Sequence, residues 1–200
     1  MYKQIEPMET LPLILLIIAV FAFIFWFARR ATINNHKQMR LLTEHFGLNV
    51  QQRKSFWQLP ILTGELNGFS LQIKVEPNSN SEANEMEVLL QVPRQAFNLI
   101  IRRRLKLGKQ KTDVELMDAQ VDDYYVIKTE YPQKAKTFLQ DREIKQELYK
   151  FKDDMMLGTS IRLHEGQMRY LMTFANVGDN KRQKIIRTIE LMGFLAGRLA

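Results

Sequence analysis

The segment LPLILLIIAVFAFIFWFA, Leu11 to Ala28, constrains this chain more than any other part of it: eighteen consecutive residues carry no charge, and Pro12 alone falls outside the apolar class. As an α-helix the run extends roughly 27 Å at 1.5 Å per residue, close to the thickness of bilayer hydrocarbon. Pro12 suits the first turn, where its missing N–H has no intrahelical partner to lose. A cleaved signal sequence fits poorly. Lys3 stands against Glu6 and Glu9 before the run, and bulky Phe25, Trp26 and Phe27 lead into Arg29 and Arg30 rather than into small residues. The expectation is one retained transmembrane helix.

Flanking charge orients it. Residues 1 to 10 carry net −1, whereas residues 29 to 48 hold Arg29, Arg30, Lys37 and Arg40 against Glu44, net +3. By the positive-inside rule the short tail lies outside and the C-terminal part in the cytoplasm, at the cell's inner membrane, with Trp26, Arg29 and Arg30 at the interface. The reading divides the chain into an external tail (1–10), a transmembrane helix (11–28), a juxtamembrane stalk helix (29–47) and a soluble domain (48–200).

The last part, with the stalk about 170 residues, is long enough for one core. In the stalk, Ile33, Met39, Leu42 and Phe46 space an apolar stripe and Gly47 marks the stop. Beyond it, Phe69, Leu71, Ile73 and Val75 alternate with polar residues after the turn pair Asn67-Gly68, which predicts a hairpin with Ile61 to Leu66. Met86 to Val92 alternates again, and Phe97 to Arg103 follows, so an antiparallel meander of four strands is expected. Further on, Tyr124 to Thr129 reads as a strand, Pro132 opens a helix, and Asp141 caps another. A second hairpin turns at Glu165-Gly166, and Asp179 is read as the cap of a closing helix striped by Ile185, Ile186, Ile189, Met192 and Ala196. The fold class is α+β, a largely antiparallel sheet with covering helices.

The order of these parts, with HFGL closing the stalk, the strand pair LPILTGELNGFSLQIKV and the later VDDYYVIKTEYPQKAKTFL, resembles a group of uncharacterised bacterial proteins with one N-terminal transmembrane helix and a soluble α+β domain. The resemblance implies membrane attachment and a shared fold, and no assigned activity.

Local chemistry is excluded class by class. Absent cysteine removes disulfides, thiolate nucleophiles and Cys-ligated metals. His36, His45 and His164 form no i, i+4 pair, and no G-x-S-x-G elbow, P-loop or G-x-G-x-x-G turn occurs. No catalytic, cofactor or metal residues are therefore assigned, and a spatially assembled site is the alternative to a non-enzymatic domain.

Charge supplies the candidate surface. RRRLKLGKQK places Arg102, Arg103, Arg104, Lys106, Lys109 and Lys111 within ten residues, followed by Asp113, Glu115, Asp118, Asp122 and Asp123. Opposite charges neutralising each other on a solvated face is one reading; a patch for anionic lipid or a protein partner is the other. The chain's formal net charge is +7, and the part after the anchor carries +8. Gly193 and Gly197 admit either a partner helix or packing over the domain's own sheet. Nucleic acid is disfavoured, because no aromatic strand motif or basic aromatic helix accompanies the charge. The expectation is a membrane-anchored accessory or interaction module, with a small-ligand binder or enzyme, and an anionic-lipid-binding domain, as alternatives.

Overall fold

Side chains alternate between faces along an extended strand, and this chain uses that alternation to bury one face of a sheet and leave the other polar. The computed structural model describes residues 7–55, 58–77, 83–105 and 112–200. Helix α1 (Pro7–Phe46) comes first. Gly47 ends it in the left-handed region at φ 63°, and Leu48 N–H donates to the Thr43 carbonyl at 3.0 Å, the reverse turn that glycine permits. Pro12 lies inside this helix instead of opening it, because the chain is already helical one turn earlier.

Strands β1 (Asn49–Gln51), β2 (Ile61–Leu66), β3 (Phe69–Pro77) and β4 (Asn84–Gln91) follow, then β5 (Leu99–Arg103), α2 (Ala119–Asp122), β6 (Tyr125–Lys128), α3 (Pro132–Leu139), α4 (Arg142–Phe151), β7 (Ser160–His164), β8 (Gln167–Phe174) and α5 (Asp179–Leu199). Among the described residues eight strands form one antiparallel sheet in the order β1-β2-β3-β4-β8-β7-β5-β6. Both hairpins turn where the sequence placed them, with Asn67 and Gly68 at φ 53° and 82° and Glu165 and Gly166 at 47° and 77°. Two successive positive φ angles make the tight turn whose twist matches the strands.

The four-strand meander is a correction. β5 does not lie beside β4; β8 takes that edge, setting Met86 against Met172, Val88 against Tyr170 and Leu90 against Met168. Eight residues of matched alternation on β8 outbid the five of β5, and Pro93 cannot donate to continue the ladder directly. Asp179 is a second correction: Gly178 is the N-cap of α5, and the Asp179 carboxylate accepts from Arg182 at 2.8 Å instead. Asp141 does cap α4, accepting from the N–H groups of Glu143 and Ile144 at 2.7 and 3.3 Å.

The buried face of the sheet packs beneath the C-terminal half of α1 together with α3, α4 and α5, in one cluster that includes Met39, Leu42, Ile73, Val88, Leu139, Leu148 and Ile189. The fold is α+β, as the alternation predicts. Gly193 is part of this packing, since a Cβ there would come within 2.7 Å of Leu66 Cδ2 at the β2–β3 hairpin; Gly197 faces open space. Of the two, Gly193 alone serves the domain's own core.

Two tyrosines anchor that core in different ways. The Tyr125 hydroxyl donates to the Leu148 carbonyl at 2.7 Å, whereas the equally buried Tyr170 hydroxyl, facing Thr159 and Thr188, makes no hydrogen bond of ordinary geometry. Tyr125→Phe is expected to cost about 1–2 kcal/mol by orphaning the Leu148 carbonyl, and Tyr170→Phe to be close to neutral, measured by denaturant unfolding of the full chain. Burial pushes both phenols above the ordinary value of 10.0, with Arg103 drawing Tyr125 back slightly. The folded chain then keeps protons that the unfolded chain releases, so stability should hold up to about pH 10 and fall above it, less steeply in Tyr125→Phe.

Candidate functional site

One helix meets two environments. Residues Pro12 to Arg30 of α1 are exposed throughout, with Leu13 to Phe27 presenting large apolar side chains at 47–69% exposure, and the helix is long and apolar enough to cross a membrane. Trp26 stands at the far end of that segment with the Arg30 guanidinium 5.4 Å from its ring centroid, and Arg29 is exposed beside them. Burial begins at Asn35, followed by Gln38, Met39 and Leu42. No glycine or further proline interrupts α1 after Pro12, so the apolar segment and the core helix are one rod of roughly 60 Å.

A set of amides fixes the rod to the domain. Asn34 Nδ2 donates to Asn176 Oδ1 and the Val177 carbonyl at 2.7 and 2.8 Å. Asn35 Oδ1 accepts from the buried Val177 N–H at 2.9 Å, and its Nδ2 reaches the Ala175 carbonyl at 3.4 Å. One turn on, Gln38 accepts from Arg182 at 2.6 Å and donates to Asp179 at 3.2 Å. These contacts run in step along α1 and α5, so the two helices lie parallel, with the start of α5 at the end of the domain nearest the apolar segment. Sequence periodicity picked out Met39 and Leu42 but missed these amides, which carry no apolar signal; Ile33, placed in the stripe, is 51% exposed.

The described arginines of the basic run do not face one way. Arg102, Arg103 and Arg104 are consecutive along an extended segment and so diverge. Arg102 is exposed on the open face of the sheet. Arg103 donates to the Met155 carbonyl at 3.2 Å, and Arg104 to the Tyr125 carbonyl at 3.2 Å, which ties both to the domain's own backbone. Lys106, Lys109 and Lys111 lie outside the described residues. The acids that follow are structural as well. Asp113 meets Lys128 at 3.1 Å, Asp118 caps α2 and meets Lys145 at 3.5 Å, and Asp122 accepts the N–H groups of Leu116 and Asp118. Among the described residues no group of His, Asp or Glu is arranged to hold a metal ion.

What gathers on the open face comes from other strands. Arg162 of β7 stands directly opposite Arg169 of β8, and Arg102 of β5 stands opposite Ser160 of β7. Glu87, nearly buried between them and β3, meets Arg169 at 2.8 Å and Lys74 at 2.6 Å. Two hollows flank Arg162, sharing it and Ile100: one of about 250 Å³ that includes Arg102, Ser160 and Leu105, and one of about 390 Å³ that includes Arg169, His164 and Gln167. Guanidinium groups in this density recognise anions.

No family model matches the sequence, and no curated protein matches it. Among solved structures, the crystal structure of the mycobacterial trehalose monomycolate transport factor A, TtfA, matches with a TM-score of 0.55 at 10% sequence identity, over 84% of this chain and 97% of that one. The two share a fold. At that identity the likeness to TtfA concerns the course of the backbone, and it transfers no residue of a site.

The amide lock is directly testable. Asn35→Ala leaves the buried Val177 N–H without its acceptor and is expected to cost about 1–3 kcal/mol in denaturant unfolding of the full chain in detergent, whereas alanine at exposed Lys37 on the same helix should change little.

Proposed function

We propose that this chain is a membrane-anchored accessory module: α1 crosses the inner membrane once, the N-terminus lies outside, and the domain works in the cytoplasm on another component of a membrane complex. The observation that carries this reading is the unbroken helix α1, whose segment from Pro12 to Ala28 exposes a run of large apolar side chains and whose later turns bury Asn35, Gln38, Met39 and Leu42 in the domain. A tether of that kind holds the domain close to the membrane in a set orientation, which serves assembly with a membrane partner better than diffusion to a soluble substrate does. Excess positive charge after the span, including Arg29 and Arg30, supports the cytoplasmic side. Trp26 with Arg30 over its ring suits the headgroup layer at that boundary. The fold it shares with TtfA, a factor in trehalose monomycolate transport, agrees with an accessory role.

Two measurements test it. A C-terminal tag is expected to resist protease in intact spheroplasts and to be digested after lysis; digestion in intact spheroplasts contradicts the orientation. Photo-crosslinkers at exposed positions of the domain in cells are expected to trap a discrete membrane protein, and an absence of crosslinked species at every position contradicts the accessory role.

A further inference from the structure

The open face of the sheet carries positive charge in an arrangement that stability alone does not favour. Arg162 and Arg169 are paired directly across β7 and β8, and like charges in that position destabilise a sheet. Arg102 is diagonal to Arg162, because Arg102 registers with Ser160 and Ile100 with Arg162, so three guanidinium groups fall on adjacent strands of one face. Glu87 relieves Arg169 and shares itself with Lys74. Among the described residues, Arg102 and Arg162 have no carboxylate within salt-bridge distance. Arg162 is instead oriented: its Nε donates to Ser160 Oγ at 3.0 Å, which leaves both terminal amino groups for another acceptor. The hollow they border, about 250 Å³, has a polar side at Ser160 and an apolar side at Ile100 and Leu105. That is below the roughly 300–1,000 Å³ of sites for drug-sized ligands, so it suits a headgroup-sized molecule.

We infer that this groove binds a phosphate ester, held by Arg102 and Arg162 with Ser160 fixing the approach of Arg162. Arginine is the side chain for this task because its planar fork meets two phosphate oxygens at once. The ester could come from a lipid headgroup or from a soluble phosphometabolite, and the apolar side of the groove accommodates the carbon next to the phosphate in both. The inference rests on the sheet alone and stands whether or not the domain has a protein partner.

The test uses the full chain in phosphatidylcholine nanodiscs, titrated calorimetrically with inorganic phosphate and with dihexanoyl phosphatidic acid. Saturable binding that weakens with added salt is expected, reduced at least about tenfold in Arg102→Gln/Arg162→Gln and unchanged in Arg187→Gln, which lies on α5 away from the groove. Phosphatidic acid binding at least about tenfold tighter than phosphate assigns a lipid source, and comparable affinities assign a soluble one. Without ligand, Arg162→Gln should melt at the same temperature as the natural chain or higher, since it removes the opposition to Arg169. Failure of both probes to bind, or binding retained by the double variant, overturns the site. A clear fall in the ligand-free melting temperature of Arg162→Gln also overturns it, by showing that the guanidinium serves the fold.

Discussion

The joint between α1 and the loop from Ala175 to Gly178 governs everything else in this molecule. A helix segment that is apolar on all sides, as Leu13 to Phe27 is, has no reason of its own to hold a set position relative to a folded domain. It gains one because Asn34 and Asn35 satisfy backbone groups of Ala175 and Val177, just before α5, and Gln38 bonds the Asp179 and Arg182 side chains of its first turn, while Met39 and Leu42 are buried beside them. Polar contacts fix the register along the helix axis and apolar contacts supply the burial. Neither would suffice: amides alone compete with water, and an apolar stripe alone permits sliding. The sheet then hangs from α1 through β8, whose last residue, Phe174, precedes the loop that α1 grips.

Much of this was legible in the sequence wherever the physics is local. Alternation found β3, β4 and β8, positive-φ residue types found both turns, and an aspartate found the start of α4. Pairing order was not legible, because alternation states which face a residue takes and is silent on which strand lies beside it; hence β8 and β7 stand where a meander put β5. β1 was missed because its three residues are all exposed and leave no pattern. The described arginines of the candidate surface diverge for a related reason. A run of arginines looks like one patch when written in a line, yet an extended backbone sends Arg102 to the open face and Arg103 to the Met155 carbonyl. Of the charges that do converge, Arg162 and Arg169 meet across the β7–β8 hairpin, while Arg102 stands tens of residues earlier and joins them only through the register of β5 on β7.

The two faces of the sheet thus divide the work. One is spent on the core and on α1, which sets where the domain stands. The other keeps Glu87 as a partly buried acceptor for two cations and leaves further guanidinium groups directed at solvent. An anchored domain that presents a basic face is suited to meeting anionic molecules at a membrane, and that face is not shared with the helices that hold the domain in place.

The rigidity of α1 is the central claim, and the chain's lack of cysteine makes it simple to measure. Spin labels introduced by Val20→Cys and Gln183→Cys, at exposed positions of α1 and α5, report the distance from the apolar segment to the domain in nanodiscs. With α1 unbroken and parallel to α5, pulsed dipolar spectroscopy should give one narrow distribution centred at roughly 30 Å, from 1.5 Å of rise per residue. A broad or two-peaked distribution would contradict the account.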